Sequence, residues 1–311
     1  MTTQVSMQQV KELRDRTQAG LNDCRSAMVE AGGDMEKAVE IILKKGLAKS
    51  AKRAGAIATE GVVTALVAAD GKAGVLVEVN IQTDFAARND EFLQFASKVA
   101  EAALAAKTGA DLGGEKFPGG GGTVEEVRQA LVGKLGENIT VRRWDRVTVD
   151  GAGKVHAYVH LGGKVGVILA ARTGNQAAAS KPGFEKFVDD AAMQVAAMAP
   201  LYVSATEVPN DAKEKQAAIF EAQLAEEGKP EKARPKIVEG KIAKWLKEVC
   251  LLEQVSVIES EKTVDQLRAE LAKELGADIT LSRFVRFERG EGIEKPTAPD
   301  FASEVAKMAG G

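Results

Sequence analysis

The chain repeats itself, and that repeat constrains the fold more than any other feature. TVEEVRQALVGKLGENITVRRW (residues 123–144) recurs as TVDQLRAELAKELGADITLSRF (263–284), 140 residues later. Upstream, GKAGVL (71–76) recurs as GKVGVI (163–168), and the pair Phe92 and Phe95 recurs as Phe184 and Phe187, 92 residues later. Self-similarity of this kind makes two copies of one supersecondary unit. Each copy is predicted to run strand, strand, helix, a variable stretch, helix, strand: an antiparallel sheet with helices on one face, in an α+β chain. The two offsets differ by 48, so the second copy holds about that many extra residues, and they fall near 201–250.

Local signals support this layout. In the first copy GVVTALVAA (61–69) alternates, Asp70-Gly71 is a tight-turn signal, and AGVLVEVN (73–80) returns as the second strand. After the polar stretch QTDFAARND, a helix carries Phe92, Phe95, Val99 and Ala103 on one stripe. Residues 109–122 hold seven glycines and are expected to form a flexible loop. Thr123 and Glu126 have capping-box spacing for a helix ending at Gly136, and ITVRRWDRVTV (139–149) is a strand. The extra residues of the second copy contain NDAKEKQAAIFEAQLAEE and KARPKIVEGKIAKWLKEV on either side of Gly228-Lys229-Pro230. Val238, Ile242, Trp245, Leu246 and Val249 share one helical face, which predicts a projecting antiparallel helical hairpin at about 207–250.

Ahead of the duplicated core, residues 5–45 have a helical pattern. Val10, Leu13 and Leu21 begin it, with a bend at Ala19-Gly20, and Cys24, Ala27, Met28 and Ala31 continue it to Gly32-Gly33. Asp34 is placed to cap a third helix carrying Ala38, Ile41 and Ile42, and Gly46 is expected to close it. The expected division is a three-helix module at 1–46, a basic, Ala-rich linker at 47–60, core copies at 61–150 and 151–290, and a C-terminal module at 291–311. That last module carries Phe301, Val305 and Met308 on a short helix near 298–309.

Chemistry is scarce. Among 311 residues the net charge is −3, which argues against a protein that coats nucleic acid, although RRWDR (142–146) and the basic linker keep an RNA- or ribosome-binding reading in play. The run Gly119–Gly122 leads into Thr123-Val124 without the Lys-Ser/Thr of a phosphate-binding loop, so no direct nucleotide binding is expected. Carboxylates are plentiful, but no catalytic pairing or triad spacing stands out, and the chain is expected not to be an enzyme. His156 and His160 lie four apart in VHAYVHLGG, which alternates like a strand and lacks convergent partners, so neither metal nor cofactor is expected. Cys24 and Cys250, far apart, fit free thiols in a reducing cytosol. Residues Met1–Gln9 show no charged leader, and no run approaches the ~18 apolar residues of a membrane helix, so the expectation is a cytoplasmic protein.

Four segments resemble one family in order along the chain: RDRTQAGLNDCRSAMVEAGGDMEKAVEIIL (14–43), VEVNIQTDFAARNDEF (77–92), HLGGKVGVIL (160–169) and FVRFERGEGIEK (284–295). The first is similar to the ubiquitin-associated-like module, and the second to the most characteristic segment, of the translation elongation factor Ts family. The duplicated core, inserted hairpin and terminal helix resemble its long bacterial form. The sequence departs from the family in having Ala86 after Asp84-Phe85, where Val is frequent, and in its glycine-rich 109–122. The resemblance implies a guanine-nucleotide exchange factor for the GTPase elongation factor Tu. It implies that Thr83, Asp84, Phe85 and Ala86 enter near the partner's nucleotide and disturb its magnesium ion. Arg14, Leu21 and Asn22 are implied to contact the GTP-binding domain, and His160 to contact the partner as well.

From the residues alone, Phe85 has two readings. It is the only bulky apolar side chain between Ile81 and Phe92, which suits a wedge into a partner. Alternatively, Asp84 caps the following helix and Phe85 staples it to the core.

Overall fold

The computed structural model of the chain describes residues 5–17, 19–120 and 122–294. The C-terminal helix expected near 298–309 lies outside the described residues.

Three helices come first and share one small core. Helix α1 (Met7–Thr17) buries Val10 and Leu13, α2 (Leu21–Glu30) buries Cys24, Ala27 and Met28, and α3 (Met35–Arg53) adds Ala38 and Ile42. Asp34 caps α3 as its position predicts, accepting hydrogen bonds from the Glu36 and Lys37 amides. Gly46, however, does not close that helix, which continues to Arg53. A Cβ at Gly46 would lie 3.7 Å from the Gln129 carbonyl and 3.8 Å from Ala130 Cα, so this glycine marks where α3 lies against a core helix. Tertiary packing there offsets the ~1 kcal/mol by which glycine weakens a helix interior. The first half of the expected linker is therefore helix.

The first core copy contains β1 (Glu60–Val67), β2 (Ala73–Ile81), α4 (Asp84–Ala87), α5 (Asp90–Ala105), a 3-10 turn at Leu112–Gly114, α6 (Val124–Leu135) and β3 (Ile139–Thr148). The second contains β4 (Gly153–His160), β5 (Val165–Thr173), α7 (Gln176–Ala179), α8 (Pro182–Met198), the inserted α9 (Asn210–Glu226) and α10 (Arg234–Val249), then α11 (Val264–Leu275) and β6 (Ile279–Glu288). The sheets are ordered β1-β2-β3 and β4-β5-β6, antiparallel throughout. Even their irregularities match: the middle-to-last pairing shifts register at Glu78/Val79 in one copy and at Ala170/Ala171 in the other. Both α6 and α11 start with a full capping box, Thr123 with Glu126 and Thr263 with Gln266. Both end on a left-handed glycine, Gly136 and Gly276, at φ 74° and 60°.

The middle strands β2 and β5 are largely buried on both faces because each is covered twice. Val75, Val77, Val79 and Ile81 face α5 and α6, while Leu76 meets Ile168 and Ala170 of the other sheet. On the second copy Val167, Leu169 and Ala171 pack with Phe184 and Val188 of α8. The two sheets thus sit face to face with helices outside. At the rim of this sandwich Glu78 is fully buried, accepting from Asn80, Arg142, Arg143 and the Gly290 amide. The Arg143 guanidinium also lies over the Phe287 ring, 4.3 Å from its centre. This junction ties β2, β3 and the segment after β6 together.

The inserted arms α9 and α10 pack on each other antiparallel, with Leu224 of α9 buried and Arg234 reaching Glu221. Their base is closed: the Leu201 and Tyr202 amides donate to the Val249 carbonyl, and Leu251 donates back to Tyr202. The described part of the glycine-rich segment is anchored rather than loose. Phe117 stacks on Phe95 at 5.7 Å, its amide bonds the Gly122 carbonyl, and Val124 bonds the Glu115 carbonyl. Among the described residues no helix is long and apolar enough to cross a membrane.

Candidate functional site

The segment leaving β2 makes one tight helical turn before α5 begins, and four residues of interest sit on it. Thr83, not Asp84, is the cap of α4: its hydroxyl accepts the Ala86 amide at 3.2 Å. Asp84 instead forms an exposed ion pair with Arg88 at 3.3 Å, a contact worth little in water. Ala86 packs partly against the core and Ala87 is buried, so the turn has an inner side. Phe85 is on the other side, 82% exposed. An aromatic so open is no staple to the core, and the local-packing reading of Phe85 fails on that number.

The turn is held from below by the end of α6. Antiparallel pairing of β2 with β3 ends at Ile81 opposite Ile139, yet side chains carry the register further. Gln82 accepts the Asn138 amide at 2.6 Å, and Glu137 accepts from Thr83 twice, from its amide at 3.0 Å and its hydroxyl at 2.7 Å. Asn138, itself buried, also donates to the Ala56 carbonyl. Phe85 therefore stands on a turn tied down at its entry, through Gln82 and Thr83, with Ala87 buried at its end. Glu137 has no motif of its own in the sequence; its partner comes from strand register.

The second copy supplies a comparison within the same chain. Asn175 caps α7 as Thr83 caps α4, accepting the Ala178 amide at 2.9 Å. The residue matching Phe85, 92 positions on, is Ala177. The backbone turn is common to both copies; the exposed aromatic belongs to one.

The remaining predicted site residues lie on separate surfaces. Arg14 and Asn22 are exposed on α1 and α2, and Leu21, the first residue of α2, is 39% exposed. His160 ends β4, exposed, with its Nδ1 2.9 Å from the Tyr158 hydroxyl and the two rings stacked. Leu161 beside it is also exposed and adopts a left-handed backbone, φ 47°. His156 points elsewhere, to Asp189 at 2.9 Å, and both histidines are strand residues as their alternation predicts. Among the described residues, no three His, Cys, Asp or Glu side chains gather as a metal site.

The groups suited to other chemistry are occupied. In RRWDR, Arg142 and Arg143 turn to Glu78, and Arg146 donates to the Leu104 and Ala106 carbonyls. Both cysteines are buried; desolvation pushes the Cys250 thiol up to about 11 and raises that of Cys24. A thiol so shifted stays protonated and is a poor nucleophile at neutral pH.

Known proteins match nearly the whole of the sequence. The family model described as Elongation factor TS matches residues 82–291. The chain is 47% identical over 310 residues to an Elongation factor Ts of Clostridium perfringens, covering 98% of this chain and 99% of the relative. It is 46% identical over 308 residues to that of Clostridium botulinum, with 98% and 99% covered. To that of Clostridium kluyveri it is 43% identical over 310 residues, with 99% of each covered. With matches this extensive, the chain belongs to the elongation factor Ts family, translation factors that act in guanine-nucleotide exchange and are not enzymes.

Proposed function

We propose that the chain binds elongation factor Tu carrying GDP, displaces the magnesium ion of that partner and releases the nucleotide so that GTP can bind. The observation that carries this reading is Phe85, 82% exposed on a turn tied to the end of α6. Exchange needs no acid, base or nucleophile on the factor. It needs binding energy realised only when the partner's nucleotide site is distorted, because coupling between two ligands is reciprocal. Weakening GDP a thousandfold takes about 4 kcal/mol of coupling. Burying one Phe side chain stabilises by roughly 1.5–3 kcal/mol, so Phe85 supplies a large share and the rest comes from a wider interface.

That interface is assigned to three surfaces. Thr83, Asp84, Phe85 and Ala86 form the wedge, with Asp84 placed to accept a cationic or amide partner. Arg14, Leu21 and Asn22 on the N-terminal module contact the GTP-binding domain, and His160 on the second core copy makes a further contact. The chain itself holds neither nucleotide nor cofactor in this scheme. The inward-turned arginines of RRWDR support a protein partner over RNA, since the cations nearest to a basic stripe are already paired.

Reciprocity supplies the test. Calorimetry should show the chain binding nucleotide-free elongation factor Tu more tightly than the GDP complex, by the same factor with which the chain weakens GDP. Equal affinity for the two forms would remove the coupling on which the proposal rests.

A further inference from the structure

We infer that Glu137 is a positioning residue for exchange: it holds the Thr83–Phe85 turn so that Phe85 is presented ready to insert. The inference rests on the proposed role of Phe85. Glu137 follows the left-handed cap Gly136 and lies two residues before Ile139, the first residue of β3, which fixes where its backbone lies. Its two carboxylate oxygens take both donors of Thr83, at 3.0 and 2.7 Å, across 54 residues of sequence. Thr83 in turn caps the single helical turn on which Phe85 sits. One side chain thus secures the cap, and the cap secures the aromatic.

The duplication provides an internal control. Aligning LGENIT (135–140) with LGADIT (275–280) places Ala277 opposite Glu137, as Ala177 stands opposite Phe85. In the second copy Gly174 and Asp278 join through backbone alone, the Gly174 amide donating to the Asp278 carbonyl at 3.0 Å, and the capped turn still forms. The fold therefore forms this turn without a carboxylate brace. The brace occurs in the copy that also presents the exposed aromatic, which links it to presentation of Phe85 rather than to folding of the unit. Pre-organisation of this kind lowers the ordering cost met when the partner closes around the ring.

A double-mutant cycle on the full chain tests the assignment, using release of mantGDP from elongation factor Tu. Glu137→Ala should lower the maximal release rate about fivefold to tenfold with little change in the half-saturating concentration, since what is lost is specific to the distorted state. Glu137→Gln keeps one acceptor for Thr83 and should recover most of that loss. In a Phe85→Ala background, Glu137→Ala should cause no further slowing, because no ring remains to be positioned. If its effect multiplies undiminished there, Glu137 acts through general stability and the inference is overturned. If Phe85→Ala is slow while Glu137→Ala is normal, the inference again falls, but the wedge stands. A normal rate for Phe85→Ala would overturn the wedge and the positioning role together.

Discussion

Truncating Phe85 to alanine should separate folding from function more cleanly than any other change in this chain. The ring is 82% exposed, so the folded monomer loses almost no buried area with it. The Thr83 cap on Ala86 remains, and alanine is the better helix former, so stability should change by less than about 0.5 kcal/mol. In the proposed wedge, the ring counts in the partner complex. Closing a partner around it removes most of its apolar surface from water, worth about 1.5–3 kcal/mol. Taking about 2 kcal/mol as realised only in the distorted state, catalysed release slows about thirtyfold. The loss should appear in the maximal rate, with the half-saturating concentration nearly unchanged. Stopped-flow release of mantGDP and a thermal melt on the same preparation read both quantities. Normal release combined with a lowered melting point would refute the reasoning, since it would make Phe85 a packing residue after all.

Four further expectations concern the scaffold. Burial alone would raise the Glu78 carboxyl, but its hydrogen bonds to the Gly290 amide, Asn80, Arg143 and Arg142 outweigh burial and hold it below the ordinary value of 4.5. A depressed folded value means the junction stabilises at neutral pH and fails as pH falls from about 4.5 through that lower value, so the gap in unfolding free energy between wild type and Glu78→Gln should narrow in that range. At pH 7 Glu78→Ala should cost about 2 kcal/mol or more in urea unfolding, less than the ~3–5 kcal/mol of enclosed pairs because Arg142 and Arg143 reach solvent; an unchanged midpoint would count against the junction. Replacing residues 210–248 by a short Gly–Ser link should leave a cooperatively melting core, because the Tyr202–Val249–Leu251 contacts already close the base of the hairpin, whereas a molten product would make the hairpin part of the core. Both thiols should resist an aromatic disulfide reagent in the native state and titrate as two equivalents on unfolding; rapid native reaction would contradict their burial.

Much of this architecture was legible because its signals are local. The capping box at Thr123, the helix end at Gly136 and the Asp70-Gly71 turn each depend on a few adjacent residues, and the structure shows the first two repeated at Thr263 and Gly276. The insertion is legible in the difference between two offsets, and its hairpin form in the apolar face of Val238, Ile242, Trp245, Leu246 and Val249 beyond the Gly228-Lys229-Pro230 turn. Phe85 stood out as a lone aromatic in a polar run, although only its exposure separates wedge from staple. What stayed hidden depends on neighbours distant in sequence. Gly46 looks like a helix terminator until α6 is packed against it. Glu78 alternates like an outward strand residue, and its burial comes from a second sheet and from Gly290, 212 residues away. Glu137 meets Thr83 through strand register, a relation no short motif encodes.

In the proposed mechanism this chain opens the nucleotide site of a GTPase without holding the nucleotide itself. The most direct measurement is the rate at which elongation factor Tu preloaded with mantGDP loses it into excess GDP, as the purified chain is titrated in. The release rate should rise hyperbolically to a plateau; with GDP association unchanged, a coupling of about 4 kcal/mol puts that plateau on the order of a thousandfold above the unassisted rate, and mantGDP mixed with the chain alone should show no fluorescence change. A release rate that stays flat across the titration, or a chain that binds mantGDP directly, would contradict it.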